Sequence, residues 1–108
     1  MVPERDNTVA GGGTTVEALR ERESARGWVF DVAVRRGADA EPTRHEVSLS
    51  WADYEYWSHG QASPSRVAEA AIAALIAARP DRTLPDRLDC STCRRWTRDF
   101  DARIAAAL

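Results

Sequence analysis

The amino-acid sequence predicts an α+β fold: an antiparallel β-hairpin packed against an alanine-rich helix, with short additional helices and a disordered N-terminal tail. Three observations carry this. Apolar and polar residues alternate over positions 28–34, they alternate again over 45–51, and a run of strong helix formers at 67–78 stands between Ser63-Pro64 and Pro80.

With 108 residues the chain has room for one domain. An apolar content of 44% beside a charged content of 30% fits a folded chain rather than a disordered one. The net charge of −2 sets up no broad field for nucleic acid or an anionic membrane. All fifteen basic residues are arginine, so lysine Schiff-base and lysine-nucleophile mechanisms are excluded. No run approaches the roughly 18 apolar residues of a membrane span. The first ten residues lack the apolar core of a signal peptide, and two cysteines make no secreted disulfide framework. The expectation is a cytoplasmic protein with no membrane or nucleic-acid partner and no cofactor.

Residues 1–26 read as a flexible tail, with a short helix over 14–26 as the alternative, capped by Thr14 or Thr15. Gly11, Gly12 and Gly13 lack the preceding strand and following G-K-[ST] of a phosphate loop, so they read as linker. Residues 27–108 form the expected single α+β domain.

In the first strand Trp28, Phe30, Val32 and Val34 share one face; in the second, His45, Val47, Leu49 and Trp51 do. The loop at 36–43 holds Gly37, Asp39 and Pro42, residues that suit a turn between neighbouring antiparallel strands. Pairing Val34 with His45 sets Val32 against Val47, Phe30 against Leu49 and Trp28 against Trp51, while a slip of two residues preserves the faces.

Ser50 with Asp53 three residues on marks a helix start, and Gly60 an end, over about 51–58. Trp51, Tyr54 and Trp57 would share its inner face. Ser63 caps the main helix, Pro64 occupies its first turn and Pro80 stops it. Val67, Ala71, Ile72, Leu75 and Ile76 form its apolar stripe, whereas Arg66, Glu69 and Arg79 point elsewhere. Residues 84–88 read as a turn-rich connection. Asp89 or Ser91 then caps a helical stripe of Cys93, Trp96, Phe100 and Ile104, which residues 99–101 divide.

Each chemistry-bearing feature has a plain structural reading. Cys90 and Cys93 have the C-x-x-C spacing of thiol exchange, but no βαβ context and no second cysteine pair for zinc. His45 and His59 are the only histidines able to complete a metal set with them. Cys93 otherwise belongs to the apolar stripe. His45, on an apolar strand face, suits a satisfied structural histidine better than a general base. Tyr56 and His59, off the inward face of their helix, together with Arg94, Arg95 and Arg98, make the candidate interaction surface.

The strand pattern Trp28-x-Phe30-x-Val32-x-Val34, His45-x-Val47-x-Leu49, the Asp53-Tyr54 pair, the helix at 64–75 and Leu84-Pro85…Arg95-Trp96…Phe100 resemble a family of short bacterial proteins of unknown function. The resemblance spans about residues 27–104 and implies an α+β fold and a bacterial source, with no activity to carry over. Three functional expectations follow. The first is a non-catalytic interaction or regulatory protein, binding itself as a homodimer or another protein through the hairpin edge or the aromatic helix. The second is a thiol-redox or metal-binding protein using Cys90 and Cys93. The third is an antitoxin-like protein, since the hairpin-then-helix order is similar to HicB-type antitoxins; no third strand or DNA-binding segment is legible in the sequence.

Overall fold

The computed structural model describes residues 8–10, as backbone, and residues 13–108. Of the tail expected over residues 1–26, positions 1–7, 11 and 12 lie outside the described residues.

Strands β3 (Gly27–Arg36) and β4 (Thr43–Ser50) form the expected antiparallel hairpin. Phe30, Val32, Val34, Val47 and Leu49 are all buried on one face, as period-2 alternation requires. The register differs from the expected one by two residues: Trp28 opposes Leu49, Phe30 opposes Val47, Val32 opposes His45 and Val34 opposes Thr43. A shift of two leaves every side chain on its face, so the apolar pattern cannot distinguish the two pairings. Helix α1 (Trp51–Ser58) decides between them. Ser50 Oγ accepts the Asp53 N–H at 3.1 Å, and the Trp51 N–H donates to the Arg26 carbonyl at 2.9 Å. Capping therefore takes Trp51 out of the strand, and its side chain is 55% exposed rather than packed inward. Gly27 permits the tight approach at this end, since a Cβ there would lie 2.0 Å from the Leu49 carbonyl oxygen.

Residues 14–23 are neither tail nor helix. They form strand β2 (Thr14–Glu23), antiparallel to β3, with Val16 opposite Val34, Ala18 opposite Val32 and a bulge between Ala18 and Arg20. The third antiparallel strand missing from the sequence reading is thus present. Strand β1 (Thr8–Ala10) pairs with residues 14–16 of β2, and β5 (Arg87–Asp89) runs parallel to β4 with Leu88 opposite Val47. The five strands lie in the order β1-β2-β3-β4-β5, so the hairpin is flanked on both sides.

Helix α2 (Pro64–Ala78) begins where Ser63 Oγ accepts the Arg66 N–H at 3.2 Å and packs on the inner face of the sheet. Val67, Ala71, Ile72, Leu75 and Ile76 are buried there as expected, each large side chain contributing about 1.5–3 kcal/mol. After β5 come a 3-10 turn (Cys90–Thr92), α3 (Cys93–Trp96) and α4 (Phe100–Ala107). The final helix is divided as expected, but at residues 97–99 rather than 99–101: Thr97 is extended, Asp99 has φ +61°, and Phe100 and Asp101 already belong to α4. Among the described residues no helix is long and apolar enough to cross a membrane.

Candidate functional site

The residues with the most reactive side chains are enclosed. His45 is 8% exposed. Its Nδ1 is 2.8 Å from the Pro85 carbonyl, and its Nε2 is 2.7 Å from the Thr43 hydroxyl. A carbonyl only accepts, so Nδ1 carries a proton directed at Pro85, while Nε2 is partnered by the Thr43 hydroxyl, which also lies 3.4 Å from the Val34 carbonyl. Both nitrogens are occupied in fastening β4 to the segment before β5, which leaves no lone pair directed at a substrate.

Cys90 and Cys93 are buried, unbonded thiols within the core. Burial pushes the Cys93 thiol up to about 12, with the Asp89 charge adding to the effect. Burial also raises Cys90 well above its ordinary value, reinforced by Cys93 and Asp89. Thiolate is the nucleophile and the metal ligand, and this environment favours the neutral thiol instead. His59 stands apart as the exposed αL cap of α1, at φ +52°, the role expected of Gly60. Among the described residues no three His, Cys, Asp or Glu side chains converge as a metal site.

Asp89 caps the 3-10 turn. Desolvation acts to raise its carboxyl pKa. Hydrogen bonds from the Ser91 hydroxyl (2.6 Å), the Ser48 hydroxyl (2.7 Å) and the Ser91 N–H (2.9 Å) outweigh that and hold it below the ordinary value.

The expected interaction surface separates into two parts. Arg94 is an internal clamp rather than a free surface cation. Its Nη2 donates to Asp53 Oδ1 at 3.0 Å and its Nε to Asp101 Oδ1 at 2.9 Å, so that it joins α3 to α1 and α4. Its guanidinium lies 4.8 Å from the Trp57 ring centre, and Trp57 Nε1–H donates to Asp101 Oδ1 at 2.6 Å. Desolvation acts to lower the Arg94 pKa, but the two carboxylates raise it further above the ordinary arginine value. Arg95 and Arg98 are exposed and have no ion pair among the described residues.

Tyr56 and His59, by contrast, line one groove between the end of α1 and helix α4, about 540 Å³ in volume. Its far wall includes Ala102, Ala105 and Leu108. Tyr56 is 61% exposed, whereas the neighbouring Trp57 is buried against Phe100 with an edge-to-face ring separation of 5.8 Å.

The hairpin strands expected to mediate self-pairing are flanked by β2 and, over residues 46–48, by β5, and one unpaired stretch of edge lies on β2 beyond residue 16. The Ser24 N–H donates to the Gly27 carbonyl at 2.9 Å and fixes the phase of the β2–β3 ladder. By antiparallel alternation, the backbone groups of Glu21 and Glu23 then point outward. Two copies joined here in one antiparallel sheet would set glutamates against glutamates and Arg20 and Arg22 against arginines. Like charges directly opposite oppose that pairing, a common protection of exposed edges.

Sequence reasoning missed two features. Glu69, placed on the outward side of α2, is buried. Arg36, Arg79 and Arg82 gather at the far end of α2, Arg79 and Arg82 on Trp96 and Arg36 on the carbonyls of Pro80 and Arg82. Glu69 interrupts an apolar run and so carried a visible signal; the arginines come from distant positions and carried none. Compared with family models, curated proteins and solved structures, the chain matches none.

Proposed function

We propose that this chain is a small non-catalytic interaction protein whose docking surface is the groove beside Tyr56 and His59. The supporting observation is the exposed Tyr56 ring at the mouth of an open groove whose far wall is Ala102, Ala105 and Leu108 with the Asp101 carboxylate beside them. Tyrosine supplies large contact area at low entropic cost, and such residues anchor protein interfaces. The two buried thiols and the doubly bonded His45 leave the interior as scaffold, so the surface carries the function.

The experiment places a photo-crosslinking amino acid at Tyr56 in the native host and, as a control, at Glu41 in the β3–β4 loop. Stoichiometric crosslinking of one partner at position 56 and not at 41 supports the reading. Equal, diffuse crosslinking at both sites overturns it. Molar mass across a concentration series distinguishes a second copy from another protein, because only self-association raises the mass of the isolated chain.

A further inference from the structure

Beyond the C-terminal end of α2, at the opposite end of that helix from Ala62 in the Tyr56 groove, three guanidinium groups are held without a carboxylate partner. Arg36 donates from Nη1 to the Pro80 carbonyl at 2.8 Å and from Nη2 to the Arg82 carbonyl at 3.0 Å. Arg79 donates from Nε to the Trp96 carbonyl at 2.7 Å. Arg82 lies over the Trp96 indole, 3.5 Å from its centre. Arg22, Arg87 and Arg94 are ion-paired, but among the described residues none of these three is. Carbonyl and indole partners fix the orientation of an arginine without cancelling its charge. A guanidinium has five N–H donors, so Arg79 and Arg82 retain most of theirs.

Two clefts meet at this cluster. One, about 250 Å³, is lined by Arg36, Thr43, Arg82 and Thr83 among others; the second, about 390 Å³, adds Arg79. Asp81 lines both. Each cleft therefore sets two arginines against Asp81, Arg82 being common to both, and the roughly half negative charge of the helix C-terminus leaves a positive surplus across the pair.

We propose that this end of the molecule binds a small anion carrying one or two phosphate groups, gripped by Arg82, which lines both clefts, with the remaining donors of Arg79 and Arg36 as further contacts. Forked guanidinium donors match phosphate oxygens, and orienting them beforehand lowers the cost of binding. The clefts suit a small ligand rather than a polymer. The single indole at the site is covered by Arg82 and offers no open stacking platform for successive bases.

The test follows arginine Nε–H resonances of the full chain at low salt during titration with inorganic phosphate, pyrophosphate, adenosine diphosphate and a short oligonucleotide. The expected result is saturable shifts confined to Arg36, Arg79 and Arg82, with pyrophosphate or the nucleotide binding more tightly than phosphate. Arg82→Gln, at an exposed position that leaves the fold intact, should weaken binding about tenfold, and Asp81→Asn should tighten it about threefold. Unsaturable shifts spread over the surface arginines mean an adventitious ion only and overturn the proposal. So does Arg82→Gln binding at wild-type strength, or affinity that grows with oligonucleotide length beyond that of pyrophosphate.

Discussion

The carboxylate of Glu69 accepts the backbone N–H of Ala18 at 2.8 Å, joining α2 to β2 across 51 positions of sequence. Ala18 lies just past the stretch of β2 that β1 covers, beside the bulge, where its N–H turns away from β3. Glu69 supplies the acceptor that a neighbouring strand would otherwise provide, and it does so while only 3% exposed. Replacing it with alanine leaves a part-buried donor without its acceptor and opens space, for an expected loss of about 1–3 kcal/mol in urea unfolding. Glu69→Gln keeps an acceptor oxygen and should lose less. Amide exchange at Ala18 should accelerate in the alanine variant more than at Phe30; equal acceleration at both sites would show that the bond has no local role.

The buried thiols predict an alkaline limit to stability. Both are raised in the fold, Cys93 to about 12. Above the ordinary thiol range the unfolded chain loses protons that the native chain keeps, so stability is full below about pH 9 and falls as the pH rises towards 12. Urea midpoints measured between pH 7 and 11 should show this decline, and Cys90→Ala with Cys93→Ala should flatten it. At pH 8 a thiol reagent should modify the native protein about a hundredfold more slowly than the unfolded chain, at a rate set by opening of the core.

Arg94 ties three helices through two aspartates and an indole, so lysine is not an equivalent replacement. Arg94→Lys and Arg94→Gln should each cost about 1–2 kcal/mol, the pairs being partly exposed. A double-mutant cycle with Asp53→Asn should give a coupling of at least about 0.5 kcal/mol. Additive losses would mean that the clamp contributes nothing beyond its packing.

The junction between α3 and α4 stores removable strain. Asp99 has φ +61°, and the Thr97 hydroxyl is buried without a hydrogen-bond partner. Asp99→Gly should stabilise by about 0.5–1 kcal/mol by relieving the left-handed backbone. Thr97→Val should stabilise by up to about 1 kcal/mol by removing the unpaired hydroxyl. Thermal unfolding of each variant reads the gain directly, and a lowered midpoint for both would show that the junction is relaxed.

Sequence alone determined the parts of this protein whose signal is local. Alternation at 28–34 and 45–49 recorded which strand face is buried, Ser50 and Ser63 marked helix starts, and Asp99 marked the break between the last two helices. Tertiary structure decided everything that depends on a distant partner. The far half of β2 overhangs the core and needs no apolar period, and the three residues of β5 are too few to show one. The hairpin register turned on whether Trp51 closes a strand or opens a helix, a choice that a two-residue slip leaves invisible in the pattern. Glu69 is buried because Ala18 requires an acceptor, and Arg94 is enclosed because Asp53 and Asp101 converge on it. Polar residues take their roles from partners that only the folded chain brings together, and so does the arginine cluster at the far end of α2.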